Sequence, residues 1–100
     1  METISIKDFM VENDFCQVNK SVAENSNGYK FLTFIDSDNK SENVYLSKSL
    51  DAEVATGTPV NRDFVSDKVI CIVENAKGEI RYKIASKGES LRVNIEDLFD

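Results

Sequence analysis

The sequence predicts a small α+β domain dominated by β-structure, with five or six antiparallel strands forming a barrel or a strongly curved sheet. A short N-terminal helix and a C-terminal helical turn complete it. Three observations carry this expectation. Apolar residues recur at a two-residue period in several short runs, the spacing that sends alternate side chains to opposite faces of a strand. Clusters of Asn, Asp, Ser and Gly separate those runs at hairpin-like intervals. The chain has 100 residues, 41% apolar and 30% charged, which is enough for one core and so for one compact domain over residues 1–100.

Ile6, Phe9 and Met10 follow Ser5 at the spacing of one helix face, and Asp8 stands three residues after Ser5 as in a capping box. This predicts a helix over residues 5–13, ended at Asn13-Asp14, with Ile4 stapled onto Phe9. Cys16, Val18 and Val22 alternate with Gln17 and Asn19, which predicts a first strand over 15–23. Asn25-Ser26-Asn27-Gly28 supplies a hairpin turn in which Gly28 is free to take positive φ. From Tyr29 to Ile35 both faces are apolar or aromatic, the mark of a strand covered on two sides. After the polar turn at residues 36–41, Val44 to Leu46 forms a third strand.

Ser47 or Ser49 caps a second helix over residues 49–56 that carries Leu50 and Val54, with Gly57 placed for a left-handed C-cap. Pro59 breaks it, and the following linker tucks Phe64 into the core. Val69 to Val73 is a β-branched run that reads as the most deeply buried strand. Asn75-Ala76-Lys77-Gly78 turns the chain into a fifth strand, where Ile80, Tyr82 and Ile84 alternate with Arg81 and Lys83. Leu91 and Val93 suggest a last short strand, and Asn94 caps a terminal turn over residues 95–99. On element order alone, the β-β-β-α-β-β succession over about residues 15–85 resembles an OB-type barrel. The same elements also fit an open antiparallel sheet with helices on one face.

The composition excludes most catalytic chemistry. The chain contains no His, so it has no imidazole base, no Ser/His or Cys/His pair and no His-containing zinc site. Cys16 and Cys71 lack a CxxC spacing and read as reduced core residues. The run Asp36-x-Asp38-x-Lys40-x-Glu42 looks superficially like a calcium loop. It fails at the fifth, sixth and twelfth positions, which hold Lys40, Ser41 and Ser47. No enzyme activity, metal or cofactor is therefore expected, and a two-carboxylate hydrolase lacks any sign of a cleft. The first residues show neither a basic n-region nor a long apolar run, and no stretch is long enough to span a membrane, so a cytoplasmic, reducing setting is expected.

Charge is unevenly distributed. The net charge is −6, yet residues 77–95 hold five bases against two acids, and residues 96–100 are acidic. The candidate binding face combines Tyr29, Phe31 and Tyr45 on the second and third strands with Lys30, Arg81 and Lys83. Aromatic rings there are placed as OB proteins place those that stack single-stranded bases. Leu98 and Phe99 in the acidic tail form a possible docking peptide. Two functions follow as expectations. The first is a non-enzymatic module that contacts another protein as an adaptor, inhibitor or assembly component, in keeping with an acidic surface. The alternative is a single-stranded nucleic-acid binder, which the overall negative charge opposes at long range. Three rings sharing one open face with Arg81 would favour the second over the first.

Overall fold

The computed structural model describes residues 2–74 and 76–88. In chain order the elements are β1 (Glu2–Ser5), α1 (Ile6–Glu12), β2 (Phe15–Val18), β3 (Ala23–Glu24), β4 (Lys30–Asp36), β5 (Ser41–Leu46), α2 (Lys48–Glu53), α3 (Arg62–Asp67), β6 (Lys68–Glu74) and β7 (Ile80–Ser86). The strands form one sheet in the order β1-β6-β7-β5-β4-β2, with β3 also paired to β4. Both ends of that path reach α1, which packs against β1, β2 and β6. The sheet is thus a curled, open half-barrel, the strongly curved alternative and not a closed barrel. It is also mixed rather than purely antiparallel, because β5 and β7 run parallel through Tyr45↔Lys83 and Leu46↔Ile84. A strand precedes the first helix and two helices separate β5 from β6, so the simple β-β-β-α-β-β succession is not reproduced.

The local signals that set the first helix act as the spacing requires. The Ser5 hydroxyl accepts from the Asp8 amide at 3.0 Å, and Ile6 and Phe9, three apart, are fully buried. Ile4 sits in β1 opposite Ile70 and packs against the core cluster that includes Phe9. Phe9 is the hub beneath the curled sheet, its ring 5.5 Å from Phe15, 5.3 Å from Phe34 and 5.1 Å from Tyr82. A β-bulge separates Phe15 from Gln17, which face Asp36 and Ile35. The extra residue, Cys16, is consequently exposed while Cys71 is buried, a correction to the reading of both as core.

The expected strand over 15–23 divides in two because residues 20–22 leave β4 for the segment after α2. Val22 donates to Thr58 at 2.9 Å, Gly57 donates to Val22 at 2.8 Å, and Val60 donates to Lys20 at 2.8 Å. Gly57, at φ 89°, makes this return possible instead of capping the helix. The cap of α2 is Ser47, whose hydroxyl accepts from Leu50. The expected linker around Phe64 is a helix, α3, with the Asn61 side chain accepting from the Phe64 amide at 2.9 Å. Phe64 is buried as anticipated. Leu32 and Phe34 of β4, Val44 and Leu46 of β5, and Ile70 and Ile84 of the C-terminal hairpin complete the core. The last expected strand, the terminal helical turn, Leu98 and Phe99 lie outside the described residues.

Candidate ligand-binding face

Strand alternation builds the candidate face. In β4, Leu32 and Phe34 enter the core, so Phe31 faces the other way. The same rule buries Val44 and Leu46 of β5 and turns Tyr45 outward; in β7 it buries Ile84 and turns Lys83 outward. Register aligns these outward residues in one row, Phe31 opposite Tyr45 and Tyr45 opposite Lys83. The Phe31 and Tyr45 rings lie 5.2 Å apart at 47°. The Lys83 ammonium stands 5.8 Å from the Tyr45 ring centre, within cation–π range. Arg81, two residues earlier on the same side of β7, is exposed.

Two depressions flank this row and share Tyr45 and Lys83. One, of about 250 Å³, is lined by Asn25, Tyr29, Tyr45, Leu46 and Lys83. Tyr29 is 56% exposed at its mouth. The other, also about 250 Å³, opens where β5 and β7 diverge before their short parallel pairing, between Glu42 and Asn43 on one side and Arg81 and Tyr82 on the other. Burial holds the Lys83 ammonium below the ordinary lysine pKa; the nearby Arg81 charge acts in the same direction, and Asp51 opposes them.

Five of the six expected residues, Tyr29, Phe31, Tyr45, Arg81 and Lys83, are thus brought to one face. Lys30 is not. Its even position in β4 places it with Leu32 and Phe34, where Asp51 of α2 accepts from its ammonium at 3.1 Å and from its backbone amide at 2.9 Å. The ammonium also donates to the Asp51 carbonyl at 2.7 Å.

The acidic turn after β4 is organised by its own backbone. One Asp36 oxygen accepts from the amides of Asp38 and Lys40, both at 2.9 Å. Among the described residues no group of His, Cys, Asp or Glu is placed to hold a metal ion. No described helix is long and apolar enough to cross a membrane.

Compared with known protein families, with characterised proteins and with solved structures, the chain matches none.

One site residue was hidden in the sequence. Asn25 reads there only as a turn former, whereas in the fold its amide nitrogen reaches the Tyr45 hydroxyl at 3.4 Å. Its oxygen accepts from the amides of Asn27 and Tyr29, each at 2.9 Å. An Asn before a hairpin Gly announces the turn; it carries no sign of the ring across the sheet.

Proposed function

We propose that the protein is a non-enzymatic binder of single-stranded nucleic acid that uses the Phe31–Tyr45 row as its stacking surface. The observation that carries this reading is the continuity of three aromatic rings with two cations on the face opposite the core. Phe31 and Tyr45 offer ring surface to successive bases, and Tyr29 extends it at the hairpin mouth. Lys83 and Arg81 meet the phosphates at the edge of the row. The acid surplus of the whole chain weakens long-range attraction, and the local excess of bases over residues 77–95 offsets part of it.

The finer fold reading belongs to the same proposal. With β1 and α1 set aside, β2 and β3 counted as one strand, and α2 and α3 counted as one helical connection, the remaining elements would read as the order of an OB-type barrel. β4 and β5 then stand at the two positions whose outer face binds oligonucleotides in that architecture. The contrasting expectation, an acidic adaptor, inhibitor or assembly component bound to a protein partner in the cytoplasm, rests on the net charge. The aromatic and Arg content of the face suits such a contact as well.

Fluorescence anisotropy with a labelled oligo(dT) at low and moderate salt tests the proposal. A saturable rise at low salt that weakens as salt increases supports it. A flat titration at low salt overturns it, and recovery of a protein partner from lysate then supports the contrasting expectation.

A further inference from the structure

Independently of the nucleic-acid reading, we infer that the cleft between β5 and β7 accepts an extended peptide segment of a partner protein. The segment adds as a strand to the start of β7, with an acidic side chain against Arg81 and apolar side chains against Ile80 and Tyr82. The incomplete pairing of β5 with β7 carries the inference. Among the described residues the two are in register only at Tyr45↔Lys83 and Leu46↔Ile84. Ahead of those positions each strand keeps its other neighbour: Glu42, Asn43 and Val44 pair with β4, while Ile80, Arg81 and Tyr82 pair with β6. Between them lies the depression of about 250 Å³.

One hydrogen bond fixes the backbone direction there. The Ile84 carbonyl accepts from the Ser47 amide, just after β5, at 2.7 Å, so residue 84 turns its backbone groups toward β5. Residues two apart in a strand turn theirs to the same side, and Tyr82 and Ile80 therefore do likewise. The Tyr82 carbonyl is engaged where Tyr45 stands in register with Lys83. The Tyr82 amide and both backbone groups of Ile80 face the cleft, with no described β5 residue in register. An open strand edge of this kind takes up an extended chain through main-chain hydrogen bonds, and side chains supply the specificity. Antiparallel addition is the slightly more stable arrangement, and it lets the residue opposite Ile80 exchange two hydrogen bonds with it.

The side chains at the cleft specify the occupant. Ile80 is 53% exposed on the same face as the half-buried Tyr82, so an apolar residue set beside it removes apolar surface from water. Arg81 is exposed on the opposite face and attracts an acid. Glu42, exposed and lining the cleft, lies with Val44 on the Ile80 face, where an acid would meet a like charge. The fitting segment therefore alternates apolar and acidic residues and is not simply acidic.

The test titrates the full chain, isotope-labelled, with the capped peptide Glu-Val-Glu-Val-Glu and follows its amide NMR spectrum without any oligonucleotide. Saturable shifts centred on residues 80–82 and 43–45 are expected. The same composition in the order Val-Val-Glu-Glu-Glu should bind several-fold more weakly. N-methylation of the second valine, which removes the donor to the Ile80 carbonyl, should cost about tenfold. The net charge of −6 favours Lys-Val-Lys-Val-Lys at long range, yet the parent chain should prefer the glutamate peptide, and Arg81→Glu should reverse that order. A reversal of preference cannot come from unfolding. Absence of shifts at residues 80–82, equal binding of the reordered or N-methylated peptide, or an unchanged preference in Arg81→Glu overturns the inference. Absence of shifts is also the result if residues 89–100 or a second copy of the chain fill the cleft, and sedimentation velocity on the parent chain identifies the second copy. The oligo(dT) titration tests the stacking face separately.

Discussion

Lys83 and Tyr45 are register partners across the parallel pair β5–β7, and the ammonium of one stands 5.8 Å from the ring centre of the other. A ring held between Phe31 and a cation is fixed in orientation before any ligand arrives. That arrangement ties the charge of Lys83 to the stacking surface, and several consequences can be measured.

Removing the central ring should weaken oligonucleotide binding with little change in fold. Stacking of a base on an aromatic side chain is worth about 1–3 kcal/mol by alanine substitution. Tyr45→Ala should therefore raise the Kd for oligo(dT) by about tenfold or more, while Phe31→Ala produces a comparable loss. Anisotropy titrations checked against urea melts separate this from unfolding. If Tyr45→Ala binds like the parent chain, the ring row is not the binding surface.

The lowered pKa of Lys83 gives two pH effects of opposite sign. Burial disfavours the ammonium in the folded chain, so between the folded and the ordinary lysine pKa the unfolded chain binds more protons. Its contribution to stability therefore rises with pH through that alkaline window. Affinity for an anionic ligand should fall over the same window, as the ammonium that meets the phosphate is lost. Lys83→Met should abolish both slopes, measured by urea denaturation and by anisotropy at stepped alkaline pH. Parallel slopes in parent and variant would contradict the assignment.

Asp51 joins α2 to β4 through the Lys30 ammonium and amide, with side-chain exposures of 23% and 17% for the acid and base. Hydrogen bonds to a charged group contribute about 1.5–3 kcal/mol each. Asp51→Ala, which also strands the Lys30 amide, should cost about 2 kcal/mol in chemical denaturation. Lys30→Met should lower oligonucleotide affinity less than Lys83→Met does. The reverse order would place Lys30 on the phosphate path.

Phe9 touches rings from β2, β4 and β7 and is almost wholly buried. Its truncation to Ala should cost about 3–5 kcal/mol and release the helix that spans the open side of the half-barrel. Denaturant midpoints with unchanged m-values would establish this as a stability effect. A loss below about 1 kcal/mol, the scale of a peripheral site, would mean that α1 does not hold the curl.

The features legible in the sequence were those that depend on neighbours a few residues away. Ser5 and Ser47 cap helices because each hydroxyl meets an amide three residues on. Asn25 and Asp36 shape hairpins because each side chain reaches amides two and four residues on. The two-residue period correctly sent Phe31, Tyr45 and Lys83 away from Leu32, Val44 and Ile84. The same rule, applied strictly, also separates Lys30 from Phe31. The α3 cap at Asn61, with Asp63 in the first turn, was legible too but was obscured by the nearby Pro59.

What only the tertiary structure decided were relations between distant segments. The pairing of Glu2–Ser5 with β6, the parallel meeting of β5 and β7, and the detour of residues 20–22 to the segment after α2 all join positions far apart in sequence. No local pattern encodes which strand lies beside which, because backbone hydrogen bonding is the same for every partner and the choice is made by how the whole apolar set closes over Phe9. The sequence by itself determined which side chains face outward on β4, β5 and β7. The tertiary structure determined that these outward residues form one row, that Lys30 is spent on Asp51, and that Asn25 points its amide nitrogen at Tyr45.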